Sequence, residues 1–208
     1  MSPLDLERLT NVLMPYMLQT RQESLWLAQR LQEGPWRAGR PNNPPTPQIL
    51  ALGVWRGGVA ALLAAFGHVV AVNHEFRPAD RPWALPEYRS LCPDAQIEMV
   101  VGDAGDPATF RQVIRKYDLV FIGGNHDLRS ALRDWCLYGQ LGQVVVLPGI
   151  AGYNHLSRLQ PERYGPPTIW SVLHENTEKQ GIAWIEECVI GPATRGLGIA
   201  YRLNGIER

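Results

Sequence analysis

In the stretch DLVFIGGNHDLRSALRDW, residues 118 to 135, a histidine follows a Gly-Gly-Asn turn between an apolar run and an amphipathic one. Imidazole titrates near neutral pH, so His126 is a candidate general base. Gly123 and Gly124, just before it, let backbone come close to a ligand. Glycines recur in ALGVWRGG, where Gly53, Gly57 and Gly58 surround Trp55. That loop offers backbone N–H groups to a polar ligand and an indole to wall its pocket. Asp103, in VVGDAGD, supplies a carboxylate that accepts from an amine or a hydroxyl. Asn73 and Glu75, in VNHEF, stand where an α/β nucleotide-binding protein holds a ribose diol, Asn73 without the charge assistance of an acid. His74 and His155 are weaker candidates on neighbouring loops. The glycine spacing fits neither GxGxxG nor a phosphate-gripping GK[ST] loop.

These residues need strands that end together. Apolar runs at 48–52, 68–72, 96–101, 118–122 and 143–147 alternate with helical patterns at 59–66, 107–117 and 128–139. The alternation predicts a parallel sheet covered on both faces and wound in both directions from its centre, a Rossmann-like α/β fold. A helix is expected over 169–181 with Thr168 as N-cap. Runs at 182–190 and 196–203 are joined by the short GPATR segment, which requires an antiparallel hairpin at the end of the sheet. The glycine turns then fall at the carboxyl ends of the strands, where open α/β sheets bind ligands. Asp134 and Trp135 lie on a helix and are expected to fix packing. Trp36, Trp55, Trp83, Tyr153 and Trp170 fall in or beside loops, as pocket walls or as anchors.

Before the first strand, apolar residues from Leu6 to Leu31 recur at helical spacing, interrupted by Pro15. Two short helices are expected, followed by the Pro-rich strap of residues 33–48. The division is a helical appendage with linker over 1–40 and an α/β domain over 41–208. The appendage would serve as a lid or as a contact for a homo-oligomer or another assembly partner. Lys+Arg and Asp+Glu are equal at 20 each, so net charge gives no reason to expect nucleic acid or an anionic membrane. No apolar run approaches a membrane span. Three widely spaced cysteines, without a CxxC pair, are expected as reduced, buried thiols of a cytoplasmic protein.

The segments ILALGVWRGGVAALLA, MVVGDA, DLVFIGGNHDLRSALRDWCLYGQL and TRGLGIAYRL together resemble class I S-adenosylmethionine-dependent methyltransferases. The resemblance spans roughly residues 48 to 203 and is strongest to the group that includes macrocin O-methyltransferases and cephalosporin hydroxylase-like proteins. His126, Asp134 and Trp135 stand in register with that group's Asp-Gly-Asp-His turn and its Asp-Trp helix. It implies S-adenosylmethionine as cofactor, held by Gly53, Trp55, Gly57, Gly58, Asn73, Glu75, Asp103 and Gly123. The reaction implied is O-methyl transfer to a small-molecule acceptor, with His126 as base. The family's acids are replaced at Ala51, Asn73, Gly123, Asn125 and Pro148. A hard cation takes carboxylate oxygens, so no metal is expected. The same losses define the alternative, a catalytically inactive methyltransferase-like module that binds or scaffolds within an oligomeric assembly.

Overall fold

The computed structural model describes residues 1–34, 46–151, 163–189 and 195–202. Most of the Pro-rich strap, Trp36, Tyr153, His155, all but the last residue of the 191–195 turn and the end of the final strand lie outside them. Strands β1 (Gln48–Leu52), β2 (His68–Asn73), β3 (Ile97–Val101), β4 (Tyr117–Ile122), β5 (Gly142–Pro148), β6 (Ile182–Cys188) and β7 (Leu197–Arg202) form one sheet in the order β3-β2-β1-β4-β5-β7-β6. The first five are parallel, and β7 inserts antiparallel between β5 and β6. The sequence leads to this arrangement through side-chain alternation. Ile49, Ala51, Val69, Ala71, Leu119, Phe121, Val144 and Val146 pack on one face. Leu50, Leu52, Val70, Val72, Val120, Ile122, Val145 and Leu147 pack on the other. Both faces of the central strands are therefore apolar, as a sheet covered on two sides requires.

Helices α1 (Pro3–Leu13), α2 (Arg21–Glu33), α3 (Gly58–Ala64) and α4 (Pro86–Leu91) belong to the first face, while α5 (Pro107–Val113), α6 (Leu128–Tyr138) and α7 (Gly165–Glu175) belong to the second. The two amino-terminal helices share the domain's core. Leu6, Leu9, Leu13, Leu27 and Leu31 are buried together with Ala60, Leu63 and Ile49. Ser2 and Thr20 each close a capping box, with Asp5 and Glu23 respectively. Glu23 has a second task, because its Oε1 accepts from the Gly196 N–H at 2.6 Å just before β7. That bond joins α2 to the far side of the sheet.

Several boundaries move from their expected places. Helix α5 stops at Val113 because Ile114 turns to an extended conformation. Helix α7 begins at Gly165 and ends at Glu175. Its two prolines occupy the first turn, where a missing N–H costs nothing. Thr168 is thus inside the helix, its hydroxyl donating to the Tyr164 carbonyl at 3.0 Å. Cys92 and Cys188 are buried as expected, but Cys136 is exposed on α6. Among the described residues, no helix is long and apolar enough to cross a membrane.

Candidate functional site

Past each strand end the ladder continues for one more hydrogen bond. Gly53 N donates to Val72 O at 2.9 Å, Gly102 N to Asn73 O at 2.9 Å, and Gly123 N to Leu52 O at 2.8 Å. Those three bonds bring the tips of β1, β2, β3 and β4 into one row at the point where chain direction across the sheet reverses. Gly53 has φ +66°, and a Cβ there would lie 2.3 Å from the Gly124 Cα. Only glycine fits, since the left-handed conformation and the backbone contact both exclude a side chain. Above this row lies a cavity of about 370 Å³ whose lining includes Gly53, Trp55, Asn73, Asp103, Gly123 and His126. Its size falls in the range of small-molecule and cofactor sites.

Six of the nine expected site residues thus meet in one place, and three stand elsewhere. Gly57 packs against the backbone of Asp80 and the ring of Trp83, and Gly58 packs against the Tyr16 backbone. Their closeness serves to seat α3 beneath the 78–84 segment and the amino-terminal helices. Helix α3 spans only seven residues, so it offers no anion site of its own. Glu75 is exposed and engaged with Arg77. His74 does line the cavity.

Asn73 explains its own departure from the acid expected there. Its Nδ2 donates to the carbonyls of Trp55 at 3.2 Å and of Glu75 at 2.8 Å. Trp55 has φ +48°, a left-handed backbone that bulky residues rarely adopt. The amide therefore ties down a strained loop while its Oδ1 remains an acceptor beside the cavity. An aspartate could not donate either bond.

Helix α6 adds two carboxylates, Asp127 and Asp134, the second expected only to pack. Asp127, its N-cap, accepts from Ser130 N at 3.0 Å. Two turns on, on the same helix face, Asp134 reaches the cavity with its side chain only 1 % exposed. Arg133 donates to Asp134 Oδ1 from Nε at 3.0 Å, and a terminal nitrogen stands 2.9 Å from the same oxygen as an ion pair. The same terminal nitrogen stands 3.8 Å from Asp103 Oδ1. Burial raises the Asp134 pKa, and the Arg133 hydrogen bonds oppose it. The guanidinium lies against Gly105, where a Cβ would be 1.9 Å from it.

His126 lines three cavities at once. It borders the cavity above the strand tips, a small void of about 10 Å³ under Met17, Trp55 and Phe121, and an open groove of about 510 Å³ that continues past Asp127 to Arg163 and Tyr164. Its carbonyl accepts from Gly165 N at 2.9 Å, which fixes the turn against α7. Burial, with a smaller contribution from the Arg195 charge, pushes the imidazole pKa down to about 4. The ring is therefore neutral at physiological pH and sits between a closed pocket and an open groove.

No protein-family profile and no curated protein matches the chain. Solved structures do. The O-methyltransferase TomG of Streptomyces achromogenes, involved in tomaymycin synthesis and solved with SAM, shares 15% identity over 86% of this chain and 80% of its own, with a TM-score of 0.58. An O-methyltransferase of Bacillus cereus, solved with SAH, shares 14% over 85% and 90%, with a TM-score of 0.53. A Staphylococcus aureus protein given as a caffeoyl-CoA O-methyltransferase shares 15% over 89% and 85%, with a TM-score of 0.58. At such identities the likeness defines the architecture: this chain has the class I methyltransferase fold.

Proposed function

We propose that the protein is an S-adenosylmethionine-dependent methyltransferase that methylates a hydroxyl group of a small molecule. The observation that carries this reading is the open cavity over the tips of β1 to β4, kept clear by the Gly53–Gly124 backbone contact. The residues present suit an adenosyl ligand. Gly53 and Gly123 offer close backbone, Asn73 Oδ1 an acceptor at the ribose position, Asp103 a carboxylate beyond it, and Trp55 a wall. When bound, S-adenosylmethionine supplies a methyl group on a sulfonium sulfur. The groove bordered by Asp127, Arg163 and Tyr164 gives the acceptor a path to His126.

His126 acts as the base in a specific way. With its pKa near 4, removing a phenol-like proton before reaction would cost about 8 kcal/mol. The neutral ring instead accepts a hydrogen bond from the acceptor hydroxyl and orients it. It takes the proton as the oxygen is alkylated and becomes strongly acidic, when even a weak base suffices. The reading is metal-independent because of the donors at the rim. The β4 tip presents Gly123 and Asn125, the β5 tip Pro148 and Gly149, and the Asp127 carboxylate is used as a helix cap. Among the described residues, no group of three or more His, Cys, Asp or Glu could hold a metal.

The test is release of S-adenosylhomocysteine from S-adenosylmethionine in the presence of a panel of phenols and sugar alcohols. Turnover with one class, reduced about 100-fold or more by His126→Asn, supports the reading. Binding of the cofactor without turnover on any acceptor would favour the inactive module instead.

A further inference from the structure

We infer that the acceptor is an aromatic hydroxy acid, bound with its hydroxyl at His126 and its carboxylate on the guanidinium of Arg163. The inference deepens the methyltransferase reading above and rests on it. The open groove of about 510 Å³ that borders His126 is also lined by Gly124, Asn125, Asp127, Arg163 and Tyr164. Its two walls are tied together. Asp127 and Tyr164 form an antiparallel bridge, Gly165 N donates to His126 O at 2.9 Å, and Thr168 Oγ1 donates to the Tyr164 carbonyl at 3.0 Å. Gly165 leaves no slack against α6, since a Cβ there would lie 2.1 Å from that of Ala131. The backbone of Arg163 and Tyr164 is therefore held at a set span from the imidazole.

Charge is arranged along this groove. At the inner end burial first, and the Arg195 charge second, hold His126 neutral. A cation placed to disfavour an imidazolium favours an anion at the same point, which suits a hydroxyl giving up its proton. Asp127, further out, has its carboxylate committed to α6. It accepts from Ser130 N at 3.0 Å, and the Ser130 hydrogen bonds hold its pKa below the usual carboxylate range. Arg163 is exposed, and among the described residues no carboxylate pairs with it. An entering carboxylate is repelled by Asp127 and drawn to Arg163, whose planar fork takes two oxygens at once. Tyr164, beside it in the groove, gives a flat ring for the acceptor's own ring to pack on. A neutral sugar gains nothing from the guanidinium.

Methylation by the full chain tests this with hydroxybenzoates and hydroxycinnamates, each against its amide, which has the same shape and no charge. The acids are expected to show kcat/KM about tenfold or more above their amides. Because the guanidinium is exposed, that preference should shrink as salt is raised. Arg163→Gln should cut it to about twofold or less, mainly through KM, and Arg163→Lys should restore part of it. Both variants change an exposed side chain and leave the backbone bonds of Tyr164 and Gly165 in place. Equal use of acid and amide, better turnover of a sugar alcohol, or a preference that survives Arg163→Gln overturns the inference while the methyltransferase stands. Binding of S-adenosylhomocysteine without turnover of any acid overturns it as well. Failure to bind that ligand at millimolar concentration overturns both readings.

Discussion

Burial and the Arg195 charge hold His126 neutral down to a pH near 4, well below the 6.5 of a free imidazole. The unfolded chain binds a proton at this residue between those two values while the folded chain does not, so stability rises with pH across that window. The contribution is fully present above about pH 6.5 and is lost as pH falls toward 4, amounting to about 3 kcal/mol. Urea denaturation at pH 4.5 and pH 7.5 should show a larger difference for the native chain than for His126→Asn. Catalysis should likewise stay flat from pH 6 to 8, where an unperturbed histidine would give an inflection near 6.5. Asn73 invites the opposite kind of test. Restoring the acid with Asn73→Asp removes the donors that hold Trp55 and Glu75 and turns a carboxylate toward both carbonyls. A loss of about 1–3 kcal/mol is expected, read from the urea midpoint at constant m-value.

At the scale of elements, the join between α2 and β7 is the most sensitive contact. Glu23 is fully buried and satisfied at both oxygens, Oε2 accepting from Thr20 N at 2.7 Å and Oε1 from Gly196 N at 2.6 Å. Glu23→Ala leaves two backbone donors without their acceptor and should cost about 2–4 kcal/mol, measured by thermal or urea unfolding. Nothing in local sequence foretold the Gly196 bond, because its partners are 173 residues apart. The strands were legible for the reverse reason. Residues such as Leu50 and Val70 are buried on one face while Ile49 and Val69 are buried on the other, and runs apolar at every position announce that burial directly. Helix ends were less so, since the Pro-Pro of α7 resembles a turn when read locally yet opens a helix. At the candidate site, the position of Gly53 and Gly123 at strand ends was legible from type and spacing, and both line the cavity. Gly57 and Gly58 pack against Asp80, Trp83 and Tyr16, and sequence alone does not separate close packing from ligand approach, since both call for the same residue. Asp134 was expected to fix packing, and its burial was not legible because a carboxylate on a helix declares that only once the neighbouring loop is in place.

For the molecule as a whole, residues 1–34 are part of the fold's interior. Leu9, Leu13 and Leu27 are fully buried, and their removal would uncover α3. A chain starting at residue 41 is expected to be molten or insoluble, with strong binding of a hydrophobic dye and no cooperative melt. A cooperative transition close to that of the full chain would restore the helices to the status of an appendage. The connection between α1 and α2 also supplies Leu18 to the wall of the cavity above the strand tips. Everything functional depends on that cavity gripping an adenosyl group. Isothermal titration of the full-length protein with S-adenosylhomocysteine measures this most directly: a dissociation constant in the micromolar range with one-to-one stoichiometry is the expected result, and an absence of heat at millimolar ligand, with no shift in melting temperature, would contradict it.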